Sequence, residues 1–202
     1  MVGRAASAIG TAKRPVIIAG FGAIAQGDKI LALARKIMAP IIATFRGKGV
    51  VDEYDELYVG CHGGIGSTAA AKLADASDLL IVIGSSYSDM TAIPERKTIQ
   101  IDINQMMLGK SYPVEVGLWG HSAEILPKLL DLLDERKDEK YLEEIHNLKK
   151  DWIKLLEGEV DSSAKPIRPD YIIKILNGLA SRDAVITSIL ERMRGGLVEI
   201  SL

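Results

Sequence analysis

The chain has 202 residues, of which 48% are hydrophobic, and its formal net charge is -2. This predicts one well-cored domain with an appendage. Without a large basic or acidic block, nucleic acid and anionic membranes are disfavoured as partners. There is no run of 18 apolar residues, so no membrane span is predicted. The one cysteine, Cys61, excludes an internal disulfide and favours a reducing compartment, so the predicted location is the cytoplasm.

The start of the chain has the pattern of a strand-helix-strand unit. A buried strand is predicted at 16–19, and Gly27 and Asp28 can cap the helix that follows. Pro40 ends this helix, and a second strand is predicted at 41–43. The handedness rule for such units makes the two strands parallel. The helix is marked by apolar residues at helical spacing, namely Ile30, Ala34, Ile37 and Met38.

The middle of the chain alternates glycine-bearing loops with apolar runs. Residues 45–58 are predicted as loop, and a glycine-rich segment at 60–66 leads into a helix over about 67–76 that Ser67 or Thr68 can cap. Two continuous apolar runs follow, at 79–83 and 98–103. Such runs, punctuated by glycine, are typical of strands buried on both faces of a parallel sheet. Alternating strands and helices therefore predict an α/β layered domain.

The last part of the chain begins with a further strand at 114–118 and a helix over about 122–135. The charged segment 134–140 marks a domain edge, and 161–166 is predicted as a linker. Pro169 suits the first turn of another helix. Residues 184–187 are predicted as the first strand of a new unit, and the final segment, ERMRGGLVEISL, shows no convincing pattern. Between the domain edge and the linker lies a long amphipathic helix, marked by Tyr141, Ile145, Leu148, Trp152 and Leu155.

Four glycine-bearing loops fall at strand or helix junctions, at 20–23, 47–49, 60–66 and 84–88. Glycine lets backbone N–H groups approach a phosphate, and a following helix N-terminus adds a favourable dipole. Residues 63–66 lead into a helix and are the best candidate for pyrophosphate binding, while Asp102, at a strand end, can accept from a ribose hydroxyl. Because parallel sheets bind ligands at the carboxyl ends of their strands, a nucleotide site is predicted there. The alternative is that these loops are tight turns without a ligand.

Two common nucleotide motifs fail in this sequence. After Gly22 the third glycine of the dinucleotide fingerprint is not at the required spacing, and the second strand ends in Thr44-Phe45-Arg46, without an acid for the ribose. An ordinary NAD dehydrogenase is therefore disfavoured. The Walker A pattern fails as well, because Gly47-Lys48 is followed by Gly49.

No catalytic or metal-binding constellation is evident. The three histidines show no metal spacing, and His62 is a candidate for ligand contact because it lies in a glycine loop. Cys61 beside it has no identifiable base, and a small buried side chain is the favoured role. The serines at 85, 86 and 88 lack both a base and a Gly-x-Ser-x-Gly elbow, so they are assigned to hydrogen bonding or loop structure. No catalytic residue and no metal ligand are predicted.

Several segments together, in this order, are informative: KRPVIIAGFGA at 13–23, GKG at 47–49, GCHGGIG at 60–66, IGSSY at 83–87, IQIDI at 99–103 and the segment 112–120. They resemble the central domain of thiamine diphosphate-dependent enzymes of the acetolactate synthase and pyruvate oxidase type. The resemblance covers about residues 10 to 188. The loop with Tyr87 and the tail helix lean toward the pyruvate oxidase branch.

The resemblance implies a three-layer Rossmann-like domain with a six-stranded parallel sheet, of the DHS-like NAD/FAD-binding type, followed by a C-terminal helical tail. The implied division is a central FAD/nucleotide-binding-like domain at 1–137, a linker helix and loop at 138–166, and a truncated start of a third, diphosphate-binding domain at 167–202.

In the oxidase and synthase branches of this family the domain binds FAD, and in an acyl-CoA decarboxylase branch it binds ADP. The sequence departs from the family in the loop after Gly84, where Ser86 and Met90 replace synthase arginines and Ser88 replaces an oxidase proline. His121 replaces a frequent aspartate. By similarity the nucleotide contacts would be Gly20, Phe21, Gly22, Ala23, Thr44, Cys61, His62, Gly63, Gly64, Gly84, Ser85, Ser86, Tyr87, Ser88, Asp102, Ile103, Asn104, Glu115 and Val116.

Catalysis in the family needs a glutamate on an amino-terminal domain and a Gly-Asp-Gly…Asn motif on a third domain, which holds Mg²⁺ and the diphosphate. The chain begins at the central domain and contains no Gly-Asp-Gly. The resemblance thus implies that thiamine diphosphate and Mg²⁺ are bound only in a complete enzyme, and that this chain alone is not catalytic. The implied partners are further copies of the chain or subunits with the missing thiamine-binding domains.

Two other functions compete with this hypothesis. The first is a non-catalytic structural or oligomerisation module, or a split-enzyme subunit, with no bound nucleotide. Its basis is the tail, whose apolar helix faces need something to pack on. The second is a small protein of the NAD-dependent deacylase-like fold group. One cysteine cannot form the zinc ribbon that is usual there, so this function has little support.

Overall fold

The structure is a computed structural model that describes residues 1–64, 66–181 and 184. Its strands are β1 (Pro15–Ala19), β2 (Ile41–Ala43), β3 (Tyr58–Cys61), β4 (Leu79–Ile83), β5 (Thr98–Asp102) and β6 (Val116–Trp119). Its helices are α1 (Val2–Thr11), α2 (Gly27–Ile37), α3 (Thr68–Ala76), α4 (Ser122–Leu132), α5 (Glu139–Glu159) and α6 (Pro169–Leu179). None of the described helices is both long and apolar enough to cross a membrane.

The six strands form one sheet in the order β3-β2-β1-β4-β5-β6, and every neighbouring pair is parallel. This is the strand order of doubly wound dinucleotide-binding folds. The predicted six-stranded parallel sheet is therefore confirmed, as is the Rossmann-like architecture.

Helices cover both faces of the sheet and make three layers. Along β4, Leu79, Ile81 and Ile83 pack under α1, α2 and α4, whereas Leu80 and Val82 pack under α3 and α5. Because both faces of this central strand are covered, all five of its residues are apolar and buried. This explains why the predicted continuous apolar run at 79–83 coincides with β4.

The edge strand β3 is the element that the sequence pattern misses. Residues 60–66 are predicted as a loop, but Gly60 and Cys61 belong to β3, which pairs with β2 through Ile41 opposite Tyr58 and Ala43 opposite Cys61. The strand has four residues, and Gly60 adopts φ 100°. Glycine is depleted in strands, so a short strand with an internal glycine carries little strand signal.

Helix ends show which capping predictions hold. Ser67 caps α3 as predicted, because its Oγ accepts from the amides of Ala69 and Ala70. The prediction that Gly27 and Asp28 cap α2 is wrong, since both lie in its first turn. A 3-10 turn over Phe21–Gln26 runs directly into α2, and Gln26, at the cap position, makes no side-chain cap hydrogen bond.

The first half of α5 packs on the domain beside α3. Tyr141 is 4% exposed and Ile145 is 0% exposed, and the Tyr141 hydroxyl donates to the Pro15 carbonyl over 3.1 Å. Arg14 bridges to both carboxylate oxygens of Glu144, at 2.7 and 2.5 Å. This segment, predicted as a linker helix, thus supplies part of the core over β1.

Farther along, the tail exposes apolar side chains. Pro169 opens α6 at its first position, as predicted. In α6 only Ile173 is buried, and Leu155 in the second half of α5 is exposed. The predicted strand at 184–187, apart from Ala184, and the segment ERMRGGLVEISL lie outside the described residues. The exposed apolar residues of α6 are Ile172, Ile175, Leu176 and Leu179.

Candidate functional site

The strand order reverses between β1 and β4, so the carboxyl ends of these two strands form the topological switch point of the sheet. Gly20 follows β1 and donates to the Ile83 carbonyl over 2.8 Å, while Gly84 follows β4 and donates to the Ile101 carbonyl over 2.9 Å. Asp102 ends the next strand. Gly84 and Asp102 lie at adjacent strand ends, as predicted, and we call this edge the rim.

The glycines at the switch point bring two backbones into contact. Gly84 adopts φ 62°, and a Cβ on it would lie 2.6 Å from both the Cα and the carbonyl carbon of Gly22. The Gly22 amide donates to the Gly84 carbonyl over 3.0 Å, and the Ala23 amide donates to the Gly20 carbonyl over 3.0 Å. These amides, which the sequence makes candidates for phosphate binding, therefore already have acceptors within the protein.

In the segment before α3, backbone amides likewise have hydrogen-bond acceptors within the protein. The Gly66 amide donates to the Gly63 carbonyl over 3.0 Å, and Ser67 Oγ accepts from two amides of the first turn of α3. Cys61 is 1% exposed, in agreement with its predicted role as a small buried side chain. Gly64 is exposed, and a Cβ on it would meet nothing within 4 Å, so this position of the loop has room for a side chain or a ligand. Ile65 lies outside the described residues.

His62 holds the connection between β4 and β5. Its Nδ1 lies 2.7 Å from the Thr91 carbonyl oxygen, and because a carbonyl only accepts, Nδ1 carries the proton. Beside it, the Ser88 and Thr91 hydroxyls are hydrogen-bonded over 2.8 Å. Gly63 packs on the backbone of Met90. The predicted contact residues His62, Gly63 and Ser88 are thus brought together, but their bonds serve the loop.

The loop after β4 divides its side chains between core and solvent. Ser85 is buried, whereas Ser86 and Ser88 are exposed. Tyr87 is half-buried, adopts φ 54° and packs against the hydrophobic cluster under α3 and α5. Burial raises the pKa of Tyr87 to about 12, and a hydrogen bond with Thr98 partly opposes this shift. Of this group, the two exposed serines are the residues available to a ligand.

Tyr87 gives the domain a testable alkaline sensitivity. Because the folded state holds the phenol proton more tightly than the unfolded chain, this stabilisation is complete below the ordinary tyrosine pKa of 10.0 and is lost as the pH rises through about 12. We expect wild type to lose about 1–2 kcal/mol more stability than Tyr87→Phe between about pH 9 and about pH 11.5. Urea unfolding at both pH values measures this difference, and equal losses in the two proteins would contradict it.

The polar side chains at the end of β5 accept hydrogen bonds from backbone amides of the turn that follows this strand. Asp102 is buried and its Oδ1 accepts from the Asn104 amide over 2.8 Å, while the Asn104 Oδ1 accepts from the Met106 amide over 3.0 Å. Ile103 is exposed, and its carbonyl accepts from Nε1 of Trp119. Likewise, Thr44 at the end of β2 is buried and its Oγ1 accepts from the Gly47 amide.

Two predicted contact residues lie away from the rim. Val116 begins β6 and stands opposite Ile99 at the start of β5, so both Val116 and Glu115 lie at the amino-terminal edge of the sheet. Val116 is also buried in the core, and the Glu115 carbonyl accepts from Arg4 of α1. The structure does not bring these two residues together with the other candidates, because β6 runs parallel to β5.

Exposed apolar side chains surround the rim. They come from the 3-10 turn after β1, from the connection after β4 and from the ends of β5 and β6, and they are Phe21, Ile24, Met90, Ile103 and Trp119. The Arg46 guanidinium lies over the Phe21 ring, 4.7 Å from its centroid. Only Phe21 and Ile103 of this set are among the residues predicted from sequence. The others carry no comparable signal in the sequence, because Ile24 and Met90 lie well beyond the ends of β1 and β4 and Trp119 belongs to β6.

The groups that a family member could hold do not all fit here. Within the described residues no cluster of three or more His, Cys, Asp or Glu side chains is arranged for a metal ion, and the sequence has no Gly-Asp-Gly. These residues therefore do not fit Mg²⁺ and thiamine diphosphate. The rim offers apolar faces, exposed serine hydroxyls and a cation, which fit the ring, ribose and phosphates of a nucleotide.

The strand order and the three layers define a Rossmann-like domain, and comparison with known proteins identifies its family. Residues 2–129 match the family model described as thiamine pyrophosphate enzyme, central domain. The chain belongs to this family of central domains, which confirms the resemblance predicted from its motifs.

The relatives of this chain are much longer proteins. A "Probable acetolactate synthase large subunit" of Methanocaldococcus jannaschii is 35% identical over 194 residues, covering 89% of this chain and 32% of the relative. The acetolactate synthase large subunit of Corynebacterium glutamicum is 30% identical over 198 residues, covering 90% and 31%. Pyruvate oxidase of Lactiplantibacillus plantarum is 23% identical over 178 residues, covering 86% and 30%. The chain spans about a third of the length of these relatives.

Proposed function

We propose that this chain is the central domain of a thiamine diphosphate-dependent 2-oxoacid enzyme resembling acetolactate synthase or pyruvate oxidase. In this proposal its rim holds the adenylate part of FAD, or ADP alone. The observation that carries it is the ring of exposed apolar side chains around the switch point, where doubly wound sheets bind their ligands. Exposed apolar side chains that gather on one surface of a domain often mark the site of a ligand or partner.

Of the residues predicted to contact a nucleotide, those that are exposed and lie on the carboxyl side of the sheet are proposed to touch it directly. These are Phe21, Gly22, Gly64, Ser86, Ser88, Ile103 and Asn104. The buried ones, such as Gly20, Thr44 and Asp102, are proposed to fix the loops. When bound, FAD supplies a flavin ring to the assembled enzyme. The residues of this chain bind and orient the nucleotide and keep water from its apolar faces.

The proposed activity requires parts that the described residues do not provide. Thiamine diphosphate and Mg²⁺ would be held by other domains or subunits, and this chain by itself would not be catalytic. We propose the division into a central domain at 1–137, a linker at 138–166 and the start of a third domain at 167–202. The proposed partners are further copies of the chain or subunits with thiamine-binding domains, and the proposed location is the cytoplasm.

Titration of the purified protein with FAD, followed by flavin fluorescence, tests this function. Saturable binding that ADP displaces better than NAD is the expected result. Phe21→Ala is expected to weaken FAD binding about tenfold, because stacking on an aromatic ring is worth about 1–3 kcal/mol. Leu132→Ala, an equally exposed side chain on α4, is the matched control and should leave binding unchanged. Absence of binding at millimolar FAD would contradict a retained cofactor role.

The second candidate function is a structural or oligomerisation module. It is favoured by the exposed apolar face of α6, which includes Ile172, Ile175, Leu176 and Leu179. In that case the protein would sediment as an oligomer, Leu176→Lys would dissociate it, and the rim would bind no nucleotide. A monomer at high concentration would count against this function.

A further inference from the structure

Arg46 is a cation held at the rim by an aromatic ring. It lies in the 3-10 turn Phe45–Gly47, directly after β2, so it shares the carboxyl edge of the sheet with Gly20 and Gly84. Its guanidinium lies over the Phe21 ring, and stacking of this kind fixes the plane of an arginine side chain. Both residues are exposed, with 59% of Phe21 accessible to solvent. The stacked pair therefore presents an oriented positive charge on the rim surface.

This arginine lacks the acidic partner that most others have. Ion pairs join Arg14 to Glu144, Arg35 to Asp55, Arg136 to Asp138 and Arg168 to Asp170. Arg4 and Arg96 donate instead to backbone carbonyls. In the described part of the chain no acidic side chain forms an ion pair with Arg46. Its five N–H donors are thus available to an anion from outside the domain.

The place of Arg46 in the fold indicates which anion it would meet. In doubly wound sheets the end of the second strand lies beside the ribose of a bound nucleotide, where an acid accepts from ribose hydroxyls or an arginine accommodates a phosphate on the ribose. Here β2 is followed by Thr44-Phe45-Arg46, a cation where the acid would be. A stacked guanidinium also matches the geometry of a phosphate through two parallel hydrogen bonds.

We infer that the rim prefers an adenine nucleotide with an additional phosphate monoester on its ribose, and that Arg46, stacked on Phe21, binds this phosphate. The inference rests on the proposed function, because it uses the same rim, but it names a different ligand class from FAD or ADP. The extra phosphate can stand on the 2′ or the 3′ oxygen, and both esters share the chemistry that the guanidinium recognises.

Isothermal titration calorimetry with three probes that carry the same number of phosphate groups tests the inference. The probes are ADP, adenosine 2′,5′-bisphosphate and adenosine 3′,5′-bisphosphate, each with two phosphate groups. We expect one bisphosphate to bind the full chain at least about tenfold more tightly than ADP, since a charge-assisted bidentate contact is worth that factor. Which of the two binds more tightly identifies the ester position.

Variants then assign the preference to the stacked pair. Arg46→Gln is expected to remove the preference for a bisphosphate over ADP, whereas Arg46→Lys keeps part of this preference as a point charge. Arg4→Gln, an exposed arginine at the opposite edge of the sheet, is the control and should change nothing. Circular dichroism melting of each variant checks that the fold is intact.

The outcomes separate this inference from the proposed function. ADP binding without a bisphosphate preference, or a preference that survives in Arg46→Gln, would overturn the inference. Neither result would contradict the proposed nucleotide binding at the rim. Bisphosphate binding that needs Arg46, without FAD or ADP binding, would support the inference and reject the proposed cofactors. Failure of all three probes at millimolar concentration would overturn both.

Discussion

Gly84→Ala is expected to lower the free energy of unfolding by about 3 kcal/mol or more. Gly84 adopts φ 62°, where a residue with a Cβ is strained by about 1–2 kcal/mol, and the new Cβ would lie 2.6 Å from the Gly22 backbone. Neither backbone can move away easily, because Gly84 is bonded to Ile101 and Gly22 is bonded to Gly84. Urea unfolding followed by circular dichroism measures the change.

Gly64→Ala is the matched control for this prediction. Gly64 also lies in a loop at the rim, but a Cβ there would meet nothing within 4 Å, and its φ is not in the left-handed region. Its effect should lie within about 0.5 kcal/mol of wild type. Similar destabilisation by both variants would mean that the close approach of the two backbones does not hold the rim together.

Tyr141→Ala is expected to destabilise the protein by about 3–5 kcal/mol, the usual cost of deleting a buried aromatic ring. The ring is almost fully buried over β1, its hydroxyl donates to the Pro15 carbonyl, and Arg14 stacks on it with its guanidinium carbon 5.1 Å from the centroid. Loss of the ring would also free α5 from the sheet. Hydrogen exchange along α5, together with urea unfolding, would show both effects.

Leu155→Ala on the exposed half of α5 is the control, and it should cost less than about 0.5 kcal/mol. The comparison also bears on the proposed boundary between a domain at 1–137 and a linker at 138–166. If Tyr141→Ala were as mild as Leu155→Ala, the start of α5 would be a dispensable linker. The large difference that we expect would mean that the proposed linker is docked on the domain core through the first half of α5.

The sequence predicts best those helices and strands whose side chains are buried on one face or on both faces, because such burial leaves a regular apolar pattern. The strand β4 is a continuous apolar run because helices cover both of its faces, and α3 begins after a serine that caps it. The edge strand β3 escapes prediction because Gly60 interrupts it and its backbone pairing with β2, not its side chains, makes it a strand.

The candidate site is less predictable, for a different physical reason. Glycine at 20, 22 and 84 indicates that another group comes close to the backbone, but it does not show whether that group is a ligand or the protein itself. Here it is the backbone of the neighbouring loop. Sequence alone therefore suggests free amides where the structure has bonded ones. Arg46 carries no local signal either, because its significance comes from Phe21, which is brought beside it by the pairing of β1 and β2.

The hydrogen bonds among Gly20, Gly22, Ala23 and Gly84 have a consequence for how such domains change over evolution. Because these four amides are bonded within the protein, they keep their acceptors when a ligand departs, and its loss does not leave them as unsatisfied donors. The identity of a ligand then depends on the exposed side chains of the rim, which take no part in these backbone hydrogen bonds. Substitutions at those positions can therefore change or remove ligand binding while the backbone scaffold stays the same.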